Sequence, residues 1–289
     1  MRYPFIEAEK ALYPVTLLCH VMRVSRSGFY AWQQRRPSRR AQETQRLDAQ
    51  IKELFEASKG RSGSPKITRA LKDLGWRVSR NRVARRMRYL GLRSIVRRRF
   101  RITTDSKHAC PVAPNRLQRD FAAERPNQVW VSDLTYLRVG RSWLYLVVFL
   151  DLYSRKIVGW ALSSSLDHTV ALRALRRAVE RRCPPRGLII HSDRGIQYAC
   201  TGFASWVADR GFVQSMSRKG DCWDNAVAES FFHLLKSELA HHCRWLNYEA
   251  AHRDLFDYIE IFYNRERSHS TLDYVSPAQF EKQLTTLAA

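Results

Sequence analysis

From residue 127 to residue 216 the sequence alternates between short apolar stretches and amphipathic stretches, and this order constrains the fold more than any other feature. Three predicted strands come first, joined by segments that are short enough for hairpins: residues 128–137, 143–150 and 156–162. Two pairs of a helix and a strand follow: 169–182 with 188–191, and 201–210 with 212–216. This order predicts an α/β fold, in which a mixed five-stranded sheet carries helices on its faces.

The segment from 222 to 236 predicts a helix that presents an acid away from the core. Asp224 is its candidate N-cap, because its side chain can accept a hydrogen bond from a free N–H of the first turn. One face of the helix is apolar and consists of Ala228, Phe232, Leu235 and Leu239. Glu229, His233 and Lys236 share another face, because offsets of four and seven residues bring side chains into one row. By itself, such a row is more typical of a charged solvent face than of a site.

Two other acids change that interpretation of Glu229. Asp133 lies in the first strand, and Asp193 follows the fourth strand, at the carboxyl end where α/β sheets commonly bind ligands. In the ribonuclease-H-like arrangement of such elements the first strand lies beside the fourth, so that three carboxylates from separate elements would converge. Carboxylate oxygens suit hard divalent ions. Two ions roughly 3.5–4 Å apart can activate an attacking oxygen and stabilise a leaving oxygen. With no lysine expected in the cluster, the three acids would repel one another unless metal is bound.

Other side chains near these acids have two interpretations each. His191 and Arg194 flank Asp193. They can position DNA or neighbouring groups, or they can make structural hydrogen bonds. His233 is a candidate base, although a hydrogen-bonded surface histidine is the more common situation. The residues alone leave these alternatives open.

The net charge of +23 is concentrated in the first 120 residues, whereas the remainder is nearly neutral. A basic first part joined to a nearly neutral second part is typical of a polyanion-binding arm on an enzymatic or scaffolding body, and the many arginines favour nucleic acid. No apolar stretch approaches the roughly 18–20 residues of a membrane span, and the first thirty residues contain no signal-peptide core. The six cysteines form no CxxC pair, so we expect a protein of the reducing cytosol.

The basic part contains two candidate helix-turn-helix segments. In the first, a helix at 15–22 is followed by a tight turn and by a second helix with Ser25 as its N-cap. This pattern fits a DNA contact and a simple helical hairpin equally. A further helix is predicted at 41–58, where apolar residues recur at helical spacing.

The second candidate comprises helices at 66–74 and 80–89, with Gly75 ending the first and Ser79 capping the second. The inward-facing residues of the last helix are Val83, Met87 and Leu90. Its candidate DNA contacts are Arg80, Asn81, Arg82, Arg85, Arg86 and Arg88. Arginine can pair with guanine, and asparagine with adenine, in the major groove. The same arginines can instead hold phosphates only, which is the safer interpretation for most of them.

Four parts follow from these observations: an N-terminal helix-turn-helix-like segment at 1–40, a second helix-turn-helix region at 41–100, a basic linker at 101–126, and a catalytic domain with a C-terminal helical tail at 127–289. The first two parts are all-α, and the last carries the mixed sheet. The linker is inferred from its prolines, Pro111 and Pro114, and from its lack of periodicity.

Six segments carry a resemblance to a known family: residues 24–32, 63–68, 130–136, 191–198, 224–231 and 263–269. With 35 residues between Asp193 and Glu229, and with Lys236 seven residues after Glu229, the sequence resembles DDE transposases of the retroviral-integrase superfamily. The closer resemblance is to the second-frame protein (OrfB) of bacterial insertion sequences of the insertion-sequence-three family. It extends over nearly the whole chain, with no departure at the acidic positions.

The resemblance implies a ribonuclease-H-like core that binds two Mg²⁺ or Mn²⁺ ions through Asp133, Asp193 and Glu229, with Lys236 contacting DNA near the scissile phosphate. Proteins of this family cleave DNA at the ends of the element to make a 3′-hydroxyl, and they join it to another phosphodiester. Their partners are double-stranded DNA, further copies of the transposase, and a first-frame protein (OrfA) that is commonly fused by frameshifting. Because the chain begins with its own Met1 and shows no sustained heptads, we expect it to be the second-frame part alone.

Two other functions compete with strand transfer at this stage. A DNA-binding regulator with an inactive acidic cluster needs only the basic helices, and a ribonuclease-H-like nuclease cleaves without joining. The complete set of three acids argues against a pure DNA-binding protein, because such a protein does not need them. The sequence therefore predicts a bacterial, cytoplasmic DNA transposase that has no membrane association.

Overall fold

A computed structural model of the protein describes residues 2–95, 112–118, 120–218 and 222–287. The first part of the predicted linker, up to residue 111, lies outside these residues. Among the helices of the described ranges, none is both long enough and apolar enough to cross a membrane.

Three short helices form the N-terminal unit: α1 (Arg2–Glu9), α2 (Val15–Val21) and α3 (Arg26–Gln33). Their small core consists of Ile6, Leu18, Cys19 and Phe29. Ser25 is the N-cap of α3, as predicted, and its Oγ accepts a hydrogen bond from the N–H of Gly28 at 3.0 Å. The predicted helical pair is therefore confirmed, with α1 as an additional helix packed against it.

Three further helices form the second helical unit: α4 (Arg39–Ala57), α5 (Ser64–Asp73) and α6 (Arg80–Tyr89). Its core includes Leu47, Ile51, Ile67, Leu71, Val83 and Met87. Ser79 caps α6 as predicted, and its Oγ accepts from the N–H of Arg82 at 3.2 Å. The helix α5 begins two residues earlier than predicted, because Pro65 lies in its first turn, where an N–H has no helical partner. Gly75 follows α5 with a φ of 85°, a left-handed conformation that favours glycine.

Five strands form one mixed sheet: β1 (Val129–Val139), β2 (Ser142–Asp151), β3 (Ile157–Ser163), β4 (Ile189–Ser192) and β5 (Val213–Met216). Their order in the sheet is β3-β2-β1-β4-β5. The first three strands are antiparallel, whereas β4 pairs in parallel with both β1 and β5. The expectation that the first strand lies beside the fourth is confirmed.

Helices cover both faces of this sheet: α7 (His168–Arg182), α8 (Ile196–Ala199), α9 (Thr201–Asp209), α10 (Ala226–Glu238) and α11 (Tyr248–Phe256). Along β2, Val147 and Phe149 share a core with α7 and α9, while Val148 shares the opposite core with α10 and α11. At Gly159 of β3, an added Cβ would lie 2.5 Å from the carbonyl oxygen of Ala174. Glycine therefore lets α7 approach the sheet closely.

The predicted C-terminal helical tail is not one continuous α-helix. The helix α11 ends at Phe256, a π-helix follows at Asp257–Glu266, and α12 (Pro277–Leu287) completes the described chain. The buried residues of the π-helix are Tyr258, Ile259, Tyr263 and Asn264. Tyr258 and Tyr263 are five residues apart, and so are Ile259 and Asn264. The i→i+5 repeat of a π-helix keeps each pair on one face, whereas an α-helix would separate its members by about 140°.

Candidate active site

Asp133 and Asp193 are brought together by the parallel pairing of β1 and β4. Val131 pairs with His191, so two residues further along each chain come Asp133 and Asp193, the latter directly after the last residue of β4. The pKa of Asp133 is raised well above its usual value, first by burial and then by the negative charge of Asp193. The two carboxylates therefore face each other at the carboxyl end of β4.

Short local hydrogen bonds orient both carboxylates. Oδ1 of Asp133 accepts from the N–H of Leu134 at 2.8 Å, and Oδ1 of Asp193 accepts from the N–H of Gly195 at 3.0 Å. An added Cβ at Gly195 would itself lie 3.0 Å from Oδ1 of Asp193. Glycine at this position therefore allows the backbone to approach the carboxylate closely.

Glu229 is the third acid of this cluster. It lies in the first turn of α10, where its side chain reaches the surface. Partial burial raises the pKa of Glu229, and the charge of Asp193 raises it further. The charge of Glu229 in turn contributes to the raised pKa of Asp133. The structure thus brings the three predicted acids into one electrostatic cluster.

Lys236, two turns after Glu229, lies within electrostatic reach of Asp133. Burial lowers the pKa of Lys236, and the charge of Asp133 acts in the opposite direction. The expectation of a cluster without a lysine is therefore wrong, because α10 packs against β1 and brings Lys236 near the acids. The cluster therefore contains positive charge from Lys236 beside its three carboxylates.

The donor set of this cluster suits a divalent metal ion. Carboxylate oxygens are the preferred ligands of Mg²⁺. Burial is the main cause of the raised pKa values of Asp133 and Glu229, and the negative charge of Asp193 raises both further. Within the described ranges, no group of three or more His, Cys, Asp or Glu side chains is already arranged around a metal position.

His191 is fully buried, and its ring connects three parts of the site. Nδ1 lies 2.9 Å from Oγ of Ser215, and Nε2 lies 3.2 Å from Oγ of Ser217 and 2.9 Å from the carbonyl oxygen of Asp224. Burial lowers the pKa of His191 to about 4, so the ring is neutral at pH 7. Of the two interpretations that the sequence left open, structural hydrogen bonding describes this residue.

Asp224 is not the N-cap that the sequence predicts. A 3₁₀ turn at Cys222–Asn225 precedes α10, and Asn225 holds the N-cap position without a side-chain hydrogen bond to the helix. The buried carboxylate of Asp224 instead accepts from Nη2 of Arg218 at 3.0 Å and from Nδ2 of Asn115 at 2.9 Å. Neither donor belongs to the first turn of α10, and Asn115 lies 109 residues before Asp224, so the local cap pattern could not reveal them.

Tyr198 and Asn225 support the site, although the sequence analysis assigned neither a role. Burial raises the pKa of Tyr198 well above its usual value, and the charges of Asp193 and Asp133 raise it further, so its hydroxyl lies near both acids. That hydroxyl lies 2.8 Å from Oγ of Ser132. Nδ2 of Asn225 donates to the carbonyl oxygen of Ser132 at 3.0 Å and ties the start of α10 to β1. Both residues lie in segments of the family resemblance, which is the signal that could have identified them.

The six candidate DNA contacts of α6 divide into two groups. Nε of Arg86 donates to Oδ1 of Asp48 at 2.8 Å, and Nη1 of Arg82 donates to Oε1 of Glu43 at 3.0 Å. These two arginines hold α6 against α4, which is a role that sequence analysis did not predict for them. The remaining four side chains are exposed: Arg80, Asn81, Arg85 and Arg88.

Arg194 and His233 are the other two candidates from the sequence. Nε of Arg194 donates to the carbonyl oxygen of Ser217 at 2.8 Å, which links the loop after β4 to the end of β5. His233 is half-buried in α10. Burial lowers the pKa of His241, and the charges of Lys236, His242 and His233 lower it further. His233 therefore lies in a basic neighbourhood at the C-terminal half of α10.

Comparison with known proteins gives three matching family models. Residues 42–100 match an HTH-like domain, and residues 123–222 and 229–284 match two models that are each described as an integrase core domain. Transposase InsF for insertion sequence IS3A, from Escherichia coli strain K12, is 41% identical over 285 residues, which cover 98% of this chain and 99% of the relative. An uncharacterized 31 kDa protein of insertion element IS600, from Shigella sonnei, is 43% identical over 272 residues, which cover 94% of this chain and all of the relative (100%).

Two solved structures show weaker similarity. An intasome of simian T-cell lymphotropic virus in complex with the PP2A regulatory subunit B56 gamma is 14% identical, with a TM-score of 0.47, over 80% of this chain and 73% of that chain. The catalytic core domain of HTLV-2 integrase in complex with magnesium is 17% identical, with a TM-score of 0.42, over 54% of this chain and 97% of that chain. The family models and the sequence relatives, rather than these structures, decide the assignment.

Proposed function

Because the chain belongs to the IS3 family of transposases, we propose that Asp133, Asp193 and Glu229 are its catalytic residues and its metal ligands. The chain is an integrase-like DNA transposase, a polynucleotidyl transferase that acts in DNA transposition. Its integrase core implies the use of a divalent metal. The observation that carries the residue assignment is the parallel pairing of β1 with β4, which brings Asp133 beside Asp193. Glu229 is added from the first turn of α10, where its charge reaches Asp133.

We propose two Mg²⁺ or Mn²⁺ ions, which when bound activate an attacking oxygen and stabilise the leaving oxygen of an in-line displacement. Asp133 and Asp193 act as the fixed ligands, since backbone N–H groups already orient them. Glu229 supplies the third carboxylate from the surface side of the cluster. Tyr198 and Asn225 act as positioning residues that hold β1 and the start of α10 in place.

Lys236 and Arg194 are the proposed phosphate contacts beside these acids. Lys236 lies on the same helix as Glu229 and near Asp133, so its ammonium group can hold the DNA phosphate next to the reacting one. Arg194 directly follows Asp193 and has an anchored Nε. Both side chains supply positive charge where the acidic cluster would otherwise repel a phosphodiester.

The second helical unit is the proposed reader of duplex DNA. Its four exposed candidates are Arg80, Asn81, Arg85 and Arg88. Arg82 and Arg86 are proposed to act indirectly, because their ion pairs with Glu43 and Asp48 fix the position of α6. We retain the division into parts at 1–40, 41–100, 101–126 and 127–289 as part of this proposal.

Family membership implies that the chain binds DNA and acts in an oligomer. We propose that the element ends and the target are its double-stranded DNA substrates, and that a first-frame protein (OrfA) is its partner or fusion. We further propose that it acts in the bacterial cytoplasm. The net charge of +23 supports the DNA partner, since polyanion binding releases counterions from the phosphate backbone.

The test is divalent-dependent cleavage and joining of a duplex that carries the terminal repeats of the element. Asp133→Asn, Asp193→Asn and Glu229→Gln are each expected to abolish both steps, because each substitution removes one metal-binding charge. Glu249→Gln, at an exposed acid of α11, is the matched control and is expected to leave activity unchanged. Full activity in any one of the three site variants would overturn the assignment. Cleavage without a joined product would favour a nuclease.

A further inference from the structure

A cleft of about 290 Å³ lies between the second helical unit and the C-terminal tail. One wall is formed by the end of α4 and the start of α5, and the other by residues at the end of the π-helix and directly after it. Its polar lining includes three cations and three hydroxyl groups: Arg61, Lys66, Arg267, Ser58, Ser62 and Ser268. Two of the segments that carry the family resemblance, 63–68 and 263–269, meet here.

Lys66 is the cleft residue whose charge is least compensated by direct contacts among the described residues. Within the part of the chain that the structure describes, its ammonium group makes neither a hydrogen bond nor an ion pair. Burial lowers the pKa of Lys66 to about 8, with a further decrease from the charge of Arg267 and an opposing effect from Glu238. A largely buried ammonium without a partner raises the free energy of the folded protein. Its position is therefore unfavourable unless an anion binds.

Arg267 adds no available positive charge to the cleft, because its guanidinium group is already paired with a carboxylate. Nη2 of Arg267 donates to Oε1 of Glu238 at 2.9 Å, and both side chains are buried. The carboxylate of Glu266 also lines the cleft, but its residue is exposed to solvent. The buried carboxylate whose charge acts on Lys66, that of Glu238, is thus paired with an arginine, which leaves the cleft with excess positive charge.

Arg61 provides a second, pre-oriented cation. Its guanidinium group lies over the ring of Phe262, with 4.2 Å from Cζ to the ring centroid. Its Nε donates to the carbonyl oxygen of Glu238 at 3.3 Å. Among the described residues, the two terminal nitrogens of Arg61 make no hydrogen bond; only Nε does. A planar guanidinium that is held in this way can still donate to an anion.

We propose that this cleft binds a phosphate group of the DNA backbone, held by Lys66, Arg61 and the neighbouring serine hydroxyls. The proposal rests on the proposed transposase function, which supplies the DNA. The ligand chemistry follows from the lining: two available cations, hydroxyl donors and an open side toward solvent suit a tetrahedral oxyanion. Because Glu238 is the last residue of α10, a phosphate bound here would connect the second helical unit to the helix that carries Glu229 and Lys236.

Lys66→Met in the full chain tests this site. Binding of a labelled duplex bearing an element end is measured without divalent metal, so that catalysis plays no part. We expect about five-fold weaker binding and a salt dependence whose slope is smaller by about one, as for the loss of one phosphate contact. We also expect a melting temperature that rises by about 2 °C or more, because the variant removes a buried charge without a partner.

The matched control is Lys52→Met, at an exposed lysine of α4; the combination of weaker binding with a higher melting temperature is expected for Lys66→Met alone. Unchanged DNA binding, or a lower melting temperature, in the Lys66 variant would overturn the proposal and make the lysine a structural residue. Inorganic phosphate provides the second arm. A phosphate-induced rise in melting temperature that Lys66→Met abolishes, with unchanged DNA affinity, would assign the cleft to a free anion instead. Failure of the metal-site variants affects none of these metal-free measurements.

Discussion

The two ends of α10 each carry a glutamate, and the two carboxylates are in opposite situations. Glu229, in the first turn, is partly buried, which raises its pKa, and the negative charge of Asp193 raises that pKa further. Glu238, the last residue, is 2% exposed and accepts hydrogen bonds from the guanidinium group of Arg267 and from the hydroxyl of Tyr258. Among the described residues, Glu238 therefore has a cationic partner, and Glu229 has no such ion pair.

We interpret Glu238 as a structural anchor of α10 and Glu229 as part of the candidate active site. A buried carboxylate that is paired and hydrogen-bonded fixes the helix, because removing one partner leaves an uncompensated charge. Like charges without a partner raise the free energy of the folded protein until a cation binds. The 13 residues of α10 connect the two ends, so the anchor at Glu238 determines where Glu229 and Lys236 are held.

The largest expected effect is at the uncompensated end. Glu229→Gln should reduce strand transfer by on the order of 10³-fold or more, since the several kcal/mol of transition-state stabilisation by metal depend on its ligands. The melting temperature should stay the same or rise, because the substitution removes a repulsive charge. Parallel activity and thermal-unfolding measurements on one preparation check both expectations. A clear loss of stability would contradict the contrast between the two ends.

Glu238→Gln tests the compensated end. It leaves the guanidinium of Arg267, 8% exposed, without its counter-ion, and we expect the free energy of unfolding to fall by about 3–5 kcal/mol. Tyr258→Phe removes one hydrogen bond to the same carboxylate and should cost about 1 kcal/mol. Denaturant titration of the two variants measures the difference. Equal costs would show that the ion pair does not act as an anchor.

A buried histidine lies near each end of α10, and both histidines make the stability of the protein depend on pH. Burial lowers the pKa of His191 to about 4 and that of His269 to about 3, from an ordinary value of 6.5. Below pH 6.5 the unfolded chain therefore binds protons that the folded chain does not, and stability falls as pH decreases. For His191 this loss amounts to about 3 kcal/mol by pH 4. His191→Gln should flatten the unfolding free energy between pH 6.5 and 4, and an unchanged slope would exclude this histidine as the cause.

The smallest effects concern paired and exposed arginines in α6. Arg86→Ala breaks the ion pair with Asp48 and should lower the free energy of unfolding by about 1 kcal/mol. Arg85→Ala should leave stability unchanged and reduce the salt dependence of DNA binding by about one unit of slope. Thermal unfolding and salt-dependent binding of both variants provide the comparison. The opposite pattern would exchange the two roles.

Features that depend on neighbouring residues in the chain could be predicted from the sequence. Alternation of apolar residues located the strands, and the Ser25 and Ser79 caps follow from a serine placed before an amphipathic stretch. The proximity of Asp133 to Asp193 was predictable because the order of elements restricts how such a sheet pairs. The family resemblance added Lys236, but not its electrostatic contact with Asp133.

Features that depend on distant partners could not be predicted. Asp224 has the right chemistry for a cap, yet its carboxylate accepts hydrogen bonds from Arg218 and from Asn115, which lies 109 residues earlier. The pair of Glu238 and Arg267 joins residues from two elements whose packing no local pattern specifies. The same holds for Arg86, since the position of Asp48 relative to α6 is a result of tertiary packing.

The π-helix at Asp257–Glu266 makes the number of residues in the tail as important as their identity. Each of its turns holds more residues than an α-turn, so removal of any one residue would favour the ordinary helix and rotate the following chain by about 100°. Asn264 would then leave its hydrogen bonds to the backbone of Ile157, and Arg267 would leave Glu238. A single-codon deletion here would thus be harmful wherever it fell, whereas many substitutions at its exposed positions would be neutral. In this segment, the number of residues determines which side chains face the core.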